Sequence, residues 1–433
     1  MGTAKSAAQE IAPRMDDPEA VTIAEAAAPP AWLPRTFRRV TTSGRYIPEV
    51  DGLRFVAIAA VFLYHLRAYL GIKSTIDWAV PYEQDPLAQL THLGNAGVPL
   101  FFMISGFILG LPFASHWLKE TPPIRLRDYF ARRLTRLEPP YLISLTGFLV
   151  LLRVVNGLPW RVLLPGYILS AFYLHNLLGS DNDIINVVAW SLEVEVQFYV
   201  LAPVLALLFA VPGKLRRRLL IASLAYAAVV LQWFFLDYRG RLALTVLQYL
   251  QFFFAGFLLA DFYLLDFNET PRRRPSLWDA VGLAAMLASV WALSREWPRH
   301  FLTPALFAVL MAATFRGRLG RWCLTRPWVT AIGGMCYSIY LIHYQVISLV
   351  GRFTKDIPFS QHFWLALIIQ GVVVALPTLA LSSLFFLIVE KPCMRKDWPR
   401  RLLAWFRSVL TGRSGSTLSA EAPARRTPGK PPR

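Results

Sequence analysis

Ten long stretches of almost uncharged, apolar residues constrain the fold of this chain more than any other feature. A membrane-spanning helix needs about 20 predominantly apolar residues, and most of the stretches are near this length. Their approximate limits are 53–71, 94–115, 139–155, 194–211, 219–236, 242–265, 277–294, 301–315, 328–350 and 363–389. Only 17% of the residues are charged, against roughly 25% in soluble domains. We therefore expect an all-α, polytopic membrane helix bundle of about ten transmembrane helices.

The distribution of basic residues between these stretches predicts how the chain crosses the membrane. Cytoplasmic loops of membrane proteins are enriched in Lys and Arg. With ten spans and both termini in the cytoplasm, the inner loops contain about twice as many basic residues as the outer loops. An eleventh apolar stretch, residues 162–175, is shorter and includes Pro165 and Gly166. If it crossed, every later basic cluster would face outward, so we expect a re-entrant segment or a loop there.

The two ends of the chain differ in composition from this membrane portion. Residues 1–44 are rich in Ala and Pro and lack the basic-then-apolar order of a cleaved signal, so we expect a disordered N-terminal tail. Residues 45–395 form the predicted transmembrane domain. In residues 396–433 we expect an amphipathic helix at 399–410, where Leu, Trp and Phe lie beside Arg, and then a disordered C-terminal tail.

Charge and cysteine content exclude several other classes of protein. The net charge of +18 does not indicate a nucleic-acid partner, because the basic residues lie between apolar stretches, where membrane orientation requires them. The three cysteines have no metal-binding spacing, so we expect neither a disulfide framework nor a metal. The sequence contains no phosphate-binding loop, G-x-S-x-G motif or H-E-x-x-H motif, which removes several enzyme classes.

The first predicted span contains two ionisable residues, Arg54 and His65. Charged and ionisable groups are costly inside a membrane and are therefore functional candidates. Eleven residues bring two side chains to the same face of a helix, about 16 Å apart along its axis. Arg54 could bind phosphate, and His65 could act as a general base or a nucleophile. The alternative is that Arg54 only pairs with Asp51 and that His65 only bonds a neighbouring helix.

Three arginines before the third stretch and one histidine in the ninth are further candidates. Arg132, Arg133 and Arg136 could bind an anion, or they could simply follow the positive-inside rule. His343 lies within the segment YSIYLIH. A second imidazole in the outer half would allow a two-histidine site, although a hydrogen-bonded core histidine is the simpler interpretation.

Two acidic residues and a run of small residues complete the candidates. Glu193 and Glu195 lie at the outer end of the fourth predicted span, and Glu195 is the deeper. Glu195 could orient a histidine or accept a hydrogen bond from a sugar hydroxyl, but acids at a helix N-terminus are also favoured by the helix dipole. The second span contains a run of small residues that predicts close helix packing, namely Gly94, Gly97, Ser105 and Gly106.

Taken together, these motifs resemble the membrane-bound acyltransferase 3 family, which O-acylates bacterial envelope polysaccharides and some macrolides. The matching segments occur in order across residues 45–395. They are Asp51-Gly-Leu-Arg54 followed after ten residues by His65, GVPLFFMISGF, Arg133-x-x-Arg136, WSLEVEVQFY and YSIYLIH. The resemblance implies ten spans, both termini in the cytoplasm and a cytoplasmic acyl-CoA donor, most often acetyl-CoA.

The resemblance also implies roles for individual residues. His65 falls on the catalytic histidine of the family, and the arginines fall on positions that bind the donor. Glu195 falls on the family's glutamate, although Glu193 is an additional acid beside it. Pro99 stands where many relatives carry a polar residue. The predicted catalytic set is His65, Glu195 and His343, and the predicted donor-binding set is Arg54, Arg133 and Arg136.

The sequence is compatible with three functions. The expected acceptor is a hydroxyl-bearing carbohydrate, and the expected location is the cell inner membrane, in contact with lipid and with polysaccharide-assembly proteins. A macrolide or a lipid-linked sugar is an alternative acceptor. A transporter that moves acyl groups or glycans without catalysis is a third interpretation, because transporters are also helix bundles with polar residues inside.

Overall fold

The computed structural model describes residues 46–180, 184–235, 240–267, 274–394 and Trp398. Every regular element within these ranges is helical, which confirms the all-α fold. The predicted tail at 1–44, the predicted amphipathic segment at 399–410 and the tail after it lie outside the described residues.

Helices follow one another with short connections through the described ranges. The first seven are α1 (Pro48–Lys73), α2 (Pro86–His92), α3 (Gly97–Lys119), α4 (Leu126–Val155), α5 (Trp160–Ala171), α6 (His175–Leu178) and α7 (Trp190–Leu205). The next nine are α8 (Lys214–Phe235), α9 (Leu250–Phe262), α10 (Pro275–Leu293), α11 (Glu296–Arg316), α12 (Leu319–Leu324), α13 (Pro327–Gly334), α14 (Cys336–Thr354), α15 (Phe363–Phe385) and α16 (Lys391–Cys393). A π-helical turn, Phe386–Glu390, joins α15 to α16.

Eight helical segments in the described part of the chain are long and apolar enough to cross a membrane. They are Pro48–Lys73, Pro86–Lys119, Leu126–Val155, Trp190–Ala210, Lys214–Phe234, Leu250–Phe267, Pro275–Leu293 and Phe363–Cys393. Each corresponds to one predicted span. The predicted span 301–315 is also helical and forms most of α11. The predicted span 328–350 is divided between α13 and α14, because Met335 leaves the helical conformation between them.

The eleventh apolar stretch does not form a long helix. It contributes to α5, which has 12 residues, and reaches the start of α6, which has four. A 12-residue helix is about 18 Å long, whereas the hydrocarbon core of a bilayer is about 30 Å thick. This length agrees with the prediction that the stretch does not cross the membrane.

Glycines bring α3 and α9 into backbone contact. A Cβ atom on Gly106 would lie 2.5 Å from the carbonyl oxygen of Phe253, and one on Gly256 would lie 2.3 Å from the carbonyl oxygen of Met103. No side chain fits at such distances, so only glycine permits this approach. The close packing predicted at Gly106 is therefore confirmed.

The first helix, α1, is held closely from two sides. A Cβ atom on Gly97, at the start of α3, would lie 2.5 Å from the carbonyl oxygen of Ala57. A Cβ atom on Gly333, in α13, would lie 1.8 Å from the carbonyl oxygen of Asp51. Backbone contacts of this kind leave α1 little freedom to rotate or slide. They fix the direction in which its polar side chains point.

A buried ion-pair network joins the start of α8 to the end of α9. Asp261 is fully buried, and it accepts hydrogen bonds from Arg217 Nε at 2.5 Å and from Arg218 Nε at 2.6 Å. Arg218 and Lys214 both pair with Asp266 as well. Three cations and two carboxylates thus neutralise most of one another's charge. The network ties the two helices together at one end of the bundle.

Candidate active site

A cavity inside the bundle is lined by residues of α1, α3, α4, α7, α13 and α14 and by the π-helical turn after α15. Its charged lining residues are Arg54, Arg133, Arg136, Glu195 and Glu390. The structure therefore brings all three predicted donor-binding arginines and one predicted catalytic acid to the same space. Most of the remaining lining side chains are apolar or aromatic, which strengthens electrostatic interactions inside it.

Arg54 both pairs with Asp51 and lines the cavity. Its Nη1 atom donates to Asp51 Oδ1 at 2.8 Å, and 13% of the side chain remains exposed. The predicted pair with Asp51 is therefore present, and the same guanidinium group faces the cavity. A guanidinium group has five N–H donors, so the bond to Asp51 leaves other donors for a ligand.

Arg133 and Arg136 lie on the same face of α4 because they are three residues apart. Both line the cavity. Arg132, which precedes them on α4, is exposed instead. The guanidinium carbon of Arg133 lies 5.5 Å from the ring centre of Tyr199 and 5.8 Å from that of Tyr129. These cation–π contacts hold the Arg133 side chain against two aromatic rings.

Glu195 and Glu193 have different surroundings. Glu195 lines the cavity and accepts hydrogen bonds from Ser105 Oγ at 2.5 Å and from the Tyr199 hydroxyl. Glu193 is 1% exposed and accepts a hydrogen bond from the backbone N–H of Asn176 at 2.8 Å. Glu193 therefore anchors α6, and Glu195 is the acid that belongs to the cavity.

The two predicted histidines contact each other, but they lie just beyond the cavity. The ring centres of His65 and His343 are 5.3 Å apart, and the ring of Tyr344 lies 5.2 Å from that of His65. Neither histidine is among the lining residues, whereas Val61 and Tyr340, about one helical turn earlier, line the cavity. The imidazole pair therefore lies about one turn past the end of the cavity.

Hydrogen bonds assign the tautomer of His343. Its Nδ1 atom is 3.0 Å from the carbonyl oxygen of Ile339 and 2.9 Å from that of Tyr340. Because carbonyl oxygens only accept, Nδ1 carries the proton and Nε2 carries a lone pair. His343 is fully buried, and Nε2 has no hydrogen-bond partner among the described residues. This nitrogen is placed to accept a proton or a hydrogen bond inside the bundle.

Sequence reasoning missed several polar residues of the cavity. Ser105 was expected only to allow close helix packing, but it donates to Glu195. Glu390 follows the last predicted span, where an acid is expected to be solvated, yet it is fully buried. It accepts hydrogen bonds from the hydroxyl and backbone N–H of Ser338 at 2.5 Å and 3.1 Å. The spacing of Glu195 and Tyr199, four residues apart on α7, was the one available signal for a polar cluster.

The fold and the cavity define a multi-pass membrane helix bundle with an internal cationic site beside two histidines. A family model described as an acyltransferase domain, of the acyltransferase 3 type, matches residues 47–387. The chain belongs to this family.

The chain is similar to several proteins named as O-acetyltransferases. The chain is 24% identical over 390 residues to the peptidoglycan O-acetyltransferase OatA of Listeria monocytogenes, covering 83% of this chain and 57% of the relative. It is 23% identical over 401 residues to the O-acetyltransferase OatA of Staphylococcus aureus, covering 85% of this chain and 61% of the relative. A putative O-acetyltransferase of S. aureus, SACOL0978, is 26% identical over 355 residues, covering 74% of this chain and 54% of the relative. The chain thus spans somewhat over half the length of these relatives, and no solved structure matches it.

Proposed function

We propose that this protein is a membrane O-acyltransferase. It moves an acyl group, most often acetyl, from cytoplasmic acyl-CoA to a hydroxyl of a cell-envelope or exported polysaccharide. The observation that carries the proposal is the convergence of three arginines on one cavity that ends about one turn below two contacting histidines. A relative named as a peptidoglycan O-acetyltransferase supports a carbohydrate acceptor.

The donor suits the charge of the cavity. Coenzyme A has several phosphate groups, and Arg54, Arg133 and Arg136 offer charge-assisted hydrogen bonds to them. A long, flexible arm joins these phosphates to the thioester. Arg54 and His65 are about 16 Å apart along the axis of α1. Donor phosphates held at the arginines therefore leave the arm free to extend toward the histidines.

Acyl transfer at the histidine pair needs a base that can also return a proton. An acceptor oxygen forms a bond to the acyl carbon, the carbon–sulfur bond breaks, and the thiolate of coenzyme A leaves. His65 either takes the proton of the acceptor hydroxyl and passes it to the thiolate, or first carries the acyl group itself. The lone pair on His343 Nε2 suits a hydrogen bond from the N–H of His65, which would fix the His65 tautomer.

Orientation in the membrane forms part of the same proposal. Both termini lie in the cytoplasm, and the location is the cell inner membrane. The arginine-lined cavity then faces the compartment in which acyl-CoA is made, and His65 lies past the middle of α1 toward the outer face. The acceptor reaches the histidines from the opposite side.

Substitution of the two histidines tests the proposal. We expect His65→Ala to abolish envelope-glycan esters and acetyl-CoA-dependent transfer, and His343→Gln to lower the transfer rate by about 100-fold. His343→Gln should also change the pH dependence of the rate, which a purely structural defect would not. The matched control is His362→Ala, because His362 is exposed in the connection before α15.

The measurements are ester analysis of envelope glycans and release of free coenzyme A by the purified full chain. Persistent ester formation by His65→Ala would contradict the proposed mechanism. Esters found only on a macrolide or a lipid-linked sugar would contradict the polysaccharide acceptor. A wild-type chain that releases no coenzyme A in the presence of acceptor would instead support a transporter.

A further inference from the structure

A second cationic site, centred on Arg67, lies near the other end of α1 from Arg54. We propose that Arg67, together with His92 and the rings of Tyr64 and Tyr82, binds the carboxylate of an acidic sugar in the acceptor. The inference rests on the proposed function and specifies its substrate class. It concerns residues that neither the cavity nor the histidine pair uses.

Arg67 is a cation without a carboxylate partner in the described part of the chain. Its Nε atom is buried and makes no hydrogen bond to any described residue. Its Nη1 atom lies 3.4 Å from His92 Nδ1, a contact that supplies no carboxylate to the guanidinium group. The Nη1 contact is exposed to solvent, so an anion can reach the guanidinium group from outside. A planar carboxylate matches the geometry of a guanidinium group and would supply a counter-ion.

The aromatic wall beside Arg67 is rigid. The guanidinium carbon of Arg67 lies 5.1 Å from the ring centre of Tyr82. The Tyr82 ring packs against Gly71, where a Cβ atom would lie 2.4 Å from Tyr82 Cε2, and its centre is 5.5 Å from that of Phe363. Tyrosine offers an apolar face and a polar edge, which suits a sugar ring. A fixed aromatic face beside a cation therefore favours a saccharide that carries an anion.

Ring contacts connect this site to the histidine pair. The ring centre of Tyr64 lies 5.7 Å from that of His92 and 5.2 Å from that of His65. Arg67 follows His65 by two residues, which is about 3 Å along the helix axis but nearly the opposite face of α1. The ring of Tyr64, which contacts both His65 and His92, lies between the two side chains. A saccharide chain that passes over the Tyr64 ring would present a carboxylate to Arg67 and a hydroxyl to His65. This proximity favours an acceptor carboxylate over the phosphate of a lipid headgroup.

The two cationic sites on α1 are well separated. Arg54 and Arg67 are thirteen residues apart, which is about 20 Å along the axis. The histidine pair lies between them, close to Arg67. The donor and the acceptor can thus approach from opposite ends of the bundle, and each meets an arginine that matches its own negative charge.

Binding of two model sugars tests the inference. The purified full chain in lipid nanodiscs is titrated calorimetrically with p-nitrophenyl β-D-glucuronide and with p-nitrophenyl β-D-glucoside, which differ only in the carboxylate. We expect the wild-type chain to bind the glucuronide about tenfold more tightly. Arg67→Gln should remove this preference, and Arg67→Lys should retain part of it. The matched control is Arg161→Gln, because Arg161 is exposed on α5.

Each other outcome has a definite meaning. Equal binding of the two sugars, no binding of the glucuronide at millimolar concentration, or a preference that persists in Arg67→Gln would overturn the inference. Phosphatidylglycerol in the nanodisc can also abolish the preference for the glucuronide by competing for Arg67. That result would overturn the inference and indicate a site for lipid phosphate. An unchanged unfolding temperature of Arg67→Gln shows that the variant is folded. If this inference alone is wrong, His65→Ala still abolishes the envelope esters. The proposed function then stands.

Discussion

Glu193 and Glu195, two positions apart on α7, have different roles. Glu195 accepts hydrogen bonds from Ser105 and Tyr199 at the edge of the cavity. Glu193 accepts a hydrogen bond from the backbone of Asn176, outside the cavity. Successive residues on a helix point about 100° apart, so a shift of two positions moves a carboxylate to nearly the opposite face.

Substitution of each acid by glutamine should therefore separate catalysis from stability. Glu195→Gln removes negative charge beside the arginines, so we expect about a 10-fold to 100-fold lower transfer rate with little change in unfolding temperature. Glu193→Gln disturbs a buried hydrogen bond to the backbone of α6, so we expect a loss of about 1–2 kcal/mol of stability. Its rate per folded molecule should stay unchanged. The measurements are acetyl-CoA turnover and thermal unfolding in detergent, and the reverse pattern would contradict these roles.

Spacing along one helix predicted that Arg133 and Arg136 share a face, whereas only the family resemblance implied that Arg54 joins them. Arg133 and Arg136 share a face of α4, and Arg54 lines the same cavity from α1. The sequence could not predict that the cavity ends about one turn before His65 and His343. That limit depends on how bulky side chains from several helices fill the space, and such packing is specified only in three dimensions.

At the scale of elements, contact between α3 and α9 depends on glycine. Gly106→Ala would place a methyl group 2.5 Å from the carbonyl oxygen of Phe253, so the helices must separate. We expect a loss of about 1–3 kcal/mol. Gly147→Ala is the matched control, because a Cβ atom there meets nothing within 4 Å, and it should not destabilise the protein. Thermal unfolding of the two purified variants measures the difference, and equal stability would contradict the backbone contact.

Most spans could be predicted because each needs only length and low charge, which are local properties of the sequence. The division of the ninth predicted span into α13 and α14 could not be predicted in this way. Gly333 in α13 lies against the backbone of Asp51 in α1, and the chain leaves the helical conformation at Met335 before α14 begins. The break accompanies a contact between residues far apart in the sequence. Hydropathy along a single segment carries no information about such a contact.

At the scale of the whole molecule, the proposed orientation can be tested with a native cysteine. Cys323 is exposed on α12, which the basic loops assign to the cytoplasmic side. A membrane-impermeant maleimide should label it in inside-out vesicles but not in intact spheroplasts. A Lys73→Cys, Cys323→Ser variant should show the opposite pattern, because Lys73 ends α1 and is exposed. Labelling of Cys323 in intact spheroplasts would show that the proposed orientation is wrong. The Cys323→Ser variant measures the background labelling.

The ion-pair network between α8 and α9 has a consequence for biogenesis. Asp261 is fully buried, and the guanidinium groups that neutralise it come from the preceding helix. An unpaired charge on a transmembrane helix makes its release from the translocon into lipid unfavourable, by less at the end of a helix than the ~2.5–3.5 kcal/mol found at the bilayer centre. Because α8 is synthesised before α9, its arginines are unpaired until Asp261 has been synthesised. We therefore expect the two segments to leave the translocon together, as a hairpin.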